Sequence, residues 1–220
     1  MVGERIVCNF LCKPAEFFFL TQDATEDYRL VASYRTSRCH DARAHCMEWK
    51  GVRLVAGKCR WGWICLAVSD RGVCCATLPC SSRREAEKQC RRSAHVTRAI
   101  TFEEPTLQDR NYLKQIVEYV DKKRMRFSVP LDLLGFSPFV RRVWKTAQQV
   151  PFGQTRSYGW VVARMGNPGA YRAVGNALGK NPVPIVVPCH RIVRSNGTLG
   201  GFGAGLAWKK RLLAHEGVVL

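Results

Sequence analysis

Apolar and polar positions follow regular patterns from about residue 58 onward. In WICLAVSDRGVCCATL, two runs rich in apolar and β-branched residues flank the turn cluster SDRG, which predicts two strands joined by a turn. The next segment, SSRREAEKQCRR, begins with serine, a common helix cap, and continues with helix formers. In TLQDRNYLKQIVEYVDKK, four apolar residues fall on one helix face: Leu113, Ile116, Val117 and Val120. Residues 58–134 are therefore predicted to form a small α/β domain.

The second half of the chain has the pattern of a mainly helical domain. In GFSPFVRRVWKTAQQV, Gly135 breaks the chain, Ser137 is placed to cap a helix, and Pro138 suits its first turn. The segment SYGWVVARMGNPGAYRAVGNALGKNP predicts helix, turn and helix, because Ser157 is a cap residue and Gly166 is a typical helix end. This order of elements indicates a helix-turn-helix arrangement.

The second of these helices, expected over residues 170–179, carries little side-chain bulk. Its small residues are Ala170, Ala173, Gly175, Ala177 and Gly179. Glycine costs roughly 1 kcal/mol in a helix interior, so two glycines indicate close approach to another backbone. The sequence leaves open whether that backbone belongs to DNA or to a neighbouring helix.

The chain is expected to close with a turn, a loop and a helix. RIVRSNGTLGGFGAG predicts a strand, a hairpin turn at its Asn-Gly pair and a glycine-rich loop. LAWKKRLLAHEG predicts an amphipathic helix with Leu206, Leu213 and Ala214 facing inward and Gly217 at its end. Residues 1–57 follow neither period and are interpreted as an N-terminal extension, which leaves 135–220 as the last domain.

Charge and cysteine content narrow the class of protein. The 220 residues carry 35 Lys and Arg against 17 Asp and Glu, a net charge of +18, and nearly all of the excess lies after residue 57. Such a field favours a polyanionic partner, with nucleic acid as the first expectation. No apolar run is long enough to span a membrane. Eleven cysteines, an odd number, and no recognisable secretory signal favour a reducing compartment with free thiols.

One cysteine stands apart from the others. Ten of the eleven precede residue 91, whereas Cys189 lies alone in NPVPIVVPCHRIV. Pro188 before it disfavours regular structure, and His190 places an imidazole beside the thiol. Glu216 is the only acidic residue after Asp132. Cysteine, histidine and carboxylate are the parts of an activated thiolate nucleophile, for which a depressed pKa of Cys189 is expected. A water between thiol and imidazole is geometrically easier than a direct bond between sequence neighbours.

These motifs resemble those of the O6-alkylguanine-DNA alkyltransferases, the methylated-DNA–protein-cysteine methyltransferases. PVPIVVPCHRIV is similar to their active-site signature, and the stretch from VPFGQTRSYG to LLAHEG resembles their C-terminal domain throughout. AVSDRGVCCATL and DKKRMRFSVPLDLLG resemble their more variable N-terminal domain, so the likeness covers about residues 58–220. It implies an α/β N-terminal domain of RNase H-like type followed by a mainly α domain with a winged helix-turn-helix.

The resemblance also implies a role for individual residues of the reaction centre. Cys189 matches the alkyl acceptor and His190 the base that reaches it through a water. Glu216 matches the carboxylate that orients this histidine, and Asn181 the asparagine that braces the turn before the active site. The carbonyls of Cys189 and Ile192 match acceptors for the guanine amino group.

Further matches concern DNA. Tyr158 matches the tyrosine that rotates the phosphate and contacts the flipped guanine, and Arg172 the arginine that fills the gap in the base stack. Gly159, Asn167 and Ser195 fall where the family touches the DNA backbone. This agrees with the residues themselves, because an enzyme that acts on a base in a duplex must flip it out, and Arg172 is the one long basic side chain in its small-residue helix.

Two departures from the family pattern concern substrate contacts and metal. Phe202 stands where many members have tyrosine, and Gly203 where they often have serine, so one hydroxyl contact is expected to be missing. The structural zinc ligands of some members do not carry over, since only Cys74 falls near one of them. CHDARAHC (39–46) does not have the spacing of a standard zinc site. We therefore expect no metal and no cofactor.

The expected function is stoichiometric repair: Cys189 takes the alkyl group, chiefly methyl, from O6 of guanine, and by extension from O4 of thymine. The expected partner is double-stranded DNA with alkylated guanine, bound by a monomer. The compartment would be the cytoplasm in a prokaryote and the nucleus in a eukaryote. Two alternatives are an alkyltransferase-like protein that only flags lesions, whose known examples lack the cysteine, and a Cys-His hydrolase, for which no oxyanion hole is recognisable.

Overall fold

The computed structural model describes residues 20–22, 28–30, 52–93 and 102–219. The chain divides into two units, Met1–Ala44 and His45–Leu220. In the first unit, strands β1 (Leu20–Gln22) and β2 (Tyr28–Leu30) form an antiparallel pair. The rest of the first unit, including CHDARAHC up to residue 44, lies outside the described residues. All elements that follow belong to the second unit.

A four-stranded sheet organises the first half of the second unit. Its strands are β3 (Val52–Cys59), β4 (Gly62–Ser69), β5 (Gly72–Ala76) and β6 (Phe102–Glu103). They lie in the order β5-β4-β3-β6, with antiparallel neighbours except for the parallel pair β3 and β6. The two strands and the turn predicted from WICLAVSDRGVCCATL are therefore confirmed.

The predicted boundary at residue 57/58 falls inside β3. This strand begins at Val52, and only Val52, Val55 and Cys59 among its residues are buried. Buried positions spaced three and four residues apart do not show the period of two that identifies a strand in a sequence. The pairing of β3 with β4 along its length, which the sequence pattern does not reveal, determines its structure.

Two helices cover the two faces of the sheet. Helix α1 (Arg83–Ser93) packs on β4, and α2 (Leu107–Val120) packs on β3. Successive residues of β4 point to opposite faces, so Leu66 joins the hydrophobic cluster that contains α2, whereas Cys65 joins the cluster with Cys90 of α1. The first half is thus a mixed α/β unit, as predicted.

The second half is mainly helical. Its elements are α3 (Pro138–Ala147), β7 (Arg156–Ser157), α4 (Tyr158–Arg164), α5 (Tyr171–Gly179), β8 (Ile192–Val193) and α6 (Leu206–His215). Ser137 and Ser157 accept the capping hydrogen bonds of α3 and α4, and Gly166 follows α4 with a φ of +61°. The predicted succession of helix, turn and helix and the predicted capping residues are therefore confirmed.

Two local predictions need correction. The turn at Gly197 exists, with a φ of +80°, but β8 pairs in parallel with β7 rather than with a returning strand. In α6, Leu213 is buried as predicted, whereas Leu206 is 49% exposed and Ala214 is also exposed. Lys209 occupies the inner face instead, because its ammonium group donates to two backbone carbonyls there. The apolar pattern of the sequence did not predict this, since lysine is a charged residue.

The two halves share one hydrophobic cluster, and this cluster positions the segment that carries Cys189. Val183, Ile185 and Leu212 from the second half pack in the same cluster as β3, β4 and α2. The N–H of Ala76 in β5 also donates to the carbonyl of Pro182 over 2.9 Å. Within the described part of the chain, no helix combines the length and the apolar character that crossing a bilayer requires.

Candidate active site

Asn181 fixes the loop that leads to Cys189. Its Oδ1 accepts from the N–H of Val183 at 3.0 Å, and its Nδ2 donates to the carbonyl of Val187 at 2.8 Å. The same Nδ2 lies 3.0 Å from Sγ of Cys189. One side chain therefore spans the turn and reaches the thiol, so the structure brings Asn181 and Cys189 together.

Ile185, within this loop, has a left-handed backbone conformation. Its φ is +75°, which β-branched residues rarely adopt. The side chain is 1% exposed, and it packs in the cluster shared by the two halves. Burial of this side chain offsets the backbone strain, which is of order 1–3 kcal/mol for such a conformation. The loop before Cys189 is thus held by packing as well as by Asn181.

The Cys189 thiol is buried and resting in its protonated form. It lies at the start of a 3₁₀ turn (Cys189–Arg191) and is 7% exposed. Burial raises the pKa of the thiol, while the hydrogen bond from Asn181 and the charge of Lys209 oppose that rise. The expectation of a depressed pKa was therefore wrong, because removal of the sulfur from water outweighs its polar contacts.

His190 and Glu216 form a buried pair. Nε2 of His190 lies 2.8 Å from Oε1 of Glu216, and both side chains have no exposed surface. Burial lowers the pKa of His190, and the nearby Glu216 only partly compensates. The imidazole is therefore neutral near pH 7, with its proton on Nε2, where it donates to the carboxylate. The structure therefore brings these two predicted site residues into contact.

Nδ1 of His190 is buried and has no hydrogen-bond partner among the described residues. Because Nε2 carries the proton, Nδ1 is the basic nitrogen. The described contacts contain no direct hydrogen bond between His190 and Cys189. An unpaired buried acceptor costs about 1–3 kcal/mol, so this nitrogen marks a place where a proton can be received.

The Glu216 carboxylate accepts hydrogen bonds from four residues. Besides His190, Nε and Nη2 of Arg191 each donate to it at 2.9 Å, the hydroxyl of Tyr119 donates to Oε1 at 2.7 Å, and the N–H of Gly153 donates to Oε2 at 3.2 Å. Burial alone would raise its pKa, but the hydrogen bonds from His190 and Arg191 lower it to about 2. Glu216 is therefore a carboxylate at all physiological pH values.

Lys209 is a buried cation near the thiol. Its side chain is fully buried, and Nζ donates to the carbonyl of Ile192 at 2.6 Å and to that of Gly201 at 3.2 Å. Burial lowers its pKa to about 8. Lys209 thus ties β8 to the glycine-rich loop across the site.

A cavity of about 850 Å³ opens in front of Cys189. Four of the residues expected to contact DNA or guanine line it: Tyr158, Gly159, Arg172 and Ser195. Tyr158 is half-buried, and its hydroxyl lies 3.4 Å from the carbonyl of Gly201. Arg172 is exposed, and among the described residues its guanidinium makes no hydrogen bond or ion pair. The cavity therefore joins the thiol to these predicted contact residues.

The remaining predicted contact groups are two backbone carbonyls and the side chain of Asn167. The carbonyl of Ile192 accepts a hydrogen bond from Lys209, and that of Cys189 accepts one from the N–H of Ile192. Each carbonyl oxygen has a second lone pair for a further donor. Asn167 is exposed in the turn between α4 and α5 and does not line the cavity.

The small residues of α5 face two different surroundings, a neighbouring helix and the cavity. Ala177 is 2% exposed, and its carbonyl accepts from Nε1 of Trp144 in α3 at 2.8 Å, so this side of α5 packs against a helix. Gly175 and Gly179 line the cavity. A Cβ at Gly179 would meet nothing within 4 Å, so open space rather than a neighbouring helix lies beside it.

Close backbone packing explains why glycine stands at position 203 in this chain. A Cβ at this position would lie 2.9 Å from the carbonyl oxygen of Gly179, which is too close for any side chain without a shift of the backbone. The glycine-rich loop therefore approaches the end of α5 as closely as backbone contact allows. Phe202 beside it lines the cavity, where phenylalanine offers no hydroxyl.

Three residues of the site were not predicted from the sequence: Tyr119, Arg191 and Lys209. Arg191 lies within the quoted signature, and its place directly after the Cys-His pair was a usable signal. Tyr119 lies 97 residues from Glu216, and no local pattern connects them. Lys209 could not be distinguished in the sequence from the other basic residues of α6. Among the described residues no group of three or more potential ligands is placed to hold a metal ion.

Comparison with known proteins places this site in a family. Residues 138–218 match the family model described as 6-O-methylguanine DNA methyltransferase, DNA binding domain. A methylated-DNA–protein-cysteine methyltransferase of Mycolicibacterium paratuberculosis is 49% identical over 104 residues, which cover 47% of this chain. The chain spans only 62% of the length of that curated relative.

Two solved structures extend the likeness beyond this region. The crystal structure of Mycobacterium tuberculosis O6-methylguanine methyltransferase is 30% identical with a TM-score of 0.57, and covers 76% of this chain and 92% of its own. That organism's OGT in complex with DNA is 32% identical with a TM-score of 0.59 and the same coverage. The match in sequence and fold over nearly the full length of these structures shows that the chain belongs to the methylated-DNA–protein-cysteine methyltransferase family.

Proposed function

We propose that this protein repairs DNA by transferring the alkyl group from O6 of guanine to Cys189, irreversibly and once per molecule. The observation that carries the proposal is the position of the Asn181-held thiol at the cavity lined by Tyr158 and Arg172. O4-alkylthymine is a second substrate of the same chemistry, with the alkyl carbon again bound to an exocyclic oxygen.

The reaction is a displacement at the alkyl carbon. The sulfur of Cys189 forms a bond to this carbon while the bond to O6 breaks, and the electron pair of that bond stays with guanine. The thiol proton passes to Nδ1 of His190 through a bridging water, and the guanine anion that leaves takes up a proton from solvent water. A thioether has no easy route back to the thiol, so the protein is consumed in the reaction.

Recognition of DNA uses the residues around the cavity. Tyr158, Gly159 and Ser195 contact the backbone and the flipped base, and the carbonyls of Cys189 and Ile192 accept hydrogen bonds from the guanine amino group. Arg172, exposed and unpaired among the described residues, fills the gap in the stack. Asn167, exposed in its turn, contacts the backbone outside the cavity. The excess of basic residues supports binding to double-stranded DNA.

The finer fold assignment supports the same function. The sheet with helices on both faces is proposed as the RNase H-like N-terminal domain, now beginning at β3. Helices α4 and α5 with the β7–β8 pair form the proposed winged helix-turn-helix of 135–220. The protein acts as a monomer without metal or cofactor. A lesion-flagging role without transfer is not favoured, because Cys189 is present with its relay.

The test is to incubate the protein with duplex DNA that contains O6-methylguanine and to map the methyl group by mass spectrometry. We expect it on the tryptic peptide 181–191, which contains Cys189. Cys189→Ala should abolish transfer and keep DNA binding, whereas Cys80→Ala, a half-buried control thiol, should leave transfer unchanged. A methyl group on another cysteine, or transfer by Cys189→Ala, would contradict the proposal.

A further inference from the structure

The Glu216 carboxylate is shared between His190 and Arg191. Oε1 lies 2.8 Å from Nε2 of His190 and 2.9 Å from Nη2 of Arg191, while Nε of Arg191 binds Oε2 at 2.9 Å. The remaining nitrogen of the guanidinium, Nη1, donates to the carbonyl of Val150 at 2.7 Å. The arginine is therefore anchored to the backbone on one side and holds both carboxylate oxygens on the other.

We propose that Arg191 is a positioning residue of the relay: it holds and neutralises the Glu216 carboxylate, so that His190 remains an uncharged imidazole whose Nδ1 is free to accept a proton. The inference rests on the proposed function in taking His190 as the base. It goes beyond that function because it assigns a role to a residue that touches neither the thiol nor the cavity.

The charges around His190 explain why such a residue is needed. A buried carboxylate next to a histidine normally favours imidazolium, and an imidazolium has no lone pair with which to accept a proton. Burial is the largest cause that opposes this effect of Glu216, and Arg191, in the same turn, and Lys209, in α6, add to it. Tyr119 from α2 adds only a neutral donor to the carboxylate, and the adjacent Cys189 rests as an uncharged thiol.

Hydrogen-bond geometry carries the second part of the argument. The two-point grip of Arg191 fixes the plane of the carboxylate, and Oε1 then faces Nε2 of His190. The proton of the neutral imidazole is thereby held on Nε2, which leaves Nδ1 basic. This tautomer is supported by the surroundings of Nδ1, which is buried and has no hydrogen-bond partner among the described residues.

The first experiment uses the unmodified protein. NMR of ¹⁵N-labelled histidine reports both the charge and the tautomer of His190. We expect a neutral ring with the proton on Nε2 at neutral pH, and a pKa below the ordinary value of 6.5. Imidazolium, or a proton on Nδ1, at neutral pH would overturn the inference. The readout does not involve transfer, so absence of methyl transfer by this protein would refute the proposed function separately.

The second experiment compares single-turnover methyl transfer against pH in three variants. Arg191→Met leaves the Glu216 charge uncancelled, so the pH below which the rate falls should rise by about one unit or more. Arg191→Lys keeps the charge and should leave this pH unchanged, even if the rate is lower. Arg191→Met with Glu216→Gln removes both charges and should bring it back down.

These variants separate charge from structure. A purely structural role would lower the rate equally at every pH, and that result for Arg191→Met would overturn the inference. The inference would also be overturned if the pH below which the rate falls stayed raised in the double variant, or if it rose in Arg191→Lys. If Arg191→Met does not fold, because a buried carboxylate is left unpaired, the lysine and double variants together with the NMR titration decide the question.

Discussion

Replacing Tyr119 by phenylalanine is expected to destabilise the protein while leaving alkyl transfer almost intact. The substitution removes one oxygen, whose hydrogen bond to Oε1 of Glu216 is 2.7 Å long. The ring itself keeps its contacts with Phe127, Phe152 and His215, which lie at centroid distances of 5.7, 5.9 and 5.1 Å. The perturbation is therefore confined to one donor of the carboxylate.

The expected magnitude follows from what remains around the carboxylate. A hydrogen bond to a charged group contributes about 1.5–3 kcal/mol, and no cavity large enough for a side chain is created. The free energy of unfolding should therefore fall by about 2 kcal/mol. His190 and Arg191 still bind Glu216, so the single-turnover rate should change by less than about threefold, equivalent to less than about 0.7 kcal/mol in activation free energy.

The assay is urea unfolding together with single-turnover methyl transfer at neutral pH. Tyr112→Phe provides a matched control in the same helix, because Tyr112 is half-buried and its hydroxyl has no partner among the described residues. The control should change the free energy of unfolding by less than about 0.5 kcal/mol. The reasoning fails if Tyr119→Phe is as stable as the control, or if it slows transfer by more than about tenfold, since Tyr119 would then belong to the relay itself.

Three further predictions concern DNA, pH and the glycine-rich loop. Arg172→Ala should slow repair in duplex DNA far more than reaction with free O6-methylguanine base, because only the duplex requires flipping at a cost of a few kcal/mol; an equal fall in both rates would exclude the stack-filling role. The pKa of Glu216 is lowered from 4.5 to about 2, so above pH 4.5 its charged form contributes about 3 kcal/mol to the free energy of unfolding. This contribution is lost as the pH falls toward 2. The free energy of unfolding measured with urea should therefore depend less on pH in Glu216→Gln. Gly203→Ser should displace the loop from the Gly179 carbonyl and lower the melting temperature, whereas Gly201→Ser, at a position where a Cβ meets nothing within 4 Å, should not; equal melting temperatures would contradict the close approach.

The fold was predictable wherever local signals were sufficient. Ser157 and Gly166 mark the two ends of α4 because capping depends on a few neighbouring residues. Strand β3 escaped prediction because its pairing partners, rather than its own pattern, make it a strand. The inner face of α6 was also mispredicted, since burial of Lys209 depends on the carbonyls of Ile192 and Gly201, which only the tertiary fold brings together.

The reaction centre shows the same division. Cys189, His190 and Asn181 lie within nine residues of one another, and Glu216 was identifiable as the last carboxylate of a basic region. Their partners Tyr119 and Lys209 come from helices far away in the chain, so no motif announces them. The predicted direction of the Cys189 pKa shift was wrong for a related reason. A sequence shows which polar groups can lie near the sulfur, but it does not show how completely water is excluded.

The protonated resting state of Cys189 changes what the rest of the site must do. If the thiol were already ionised, His190 would be needed only to stabilise the thiolate, and an imidazolium would serve. Because burial raises the pKa of the thiol, the proposed transfer requires the proton to leave as the alkyl group arrives, and the site then needs a neutral base. The uncharged His190, its free Nδ1 and the carboxylate neutralised by Arg191 meet this requirement. A buried thiol of this kind is also protected from unspecific oxidation and alkylation, since only the thiolate reacts readily, and the proposed reaction would use this thiol only once.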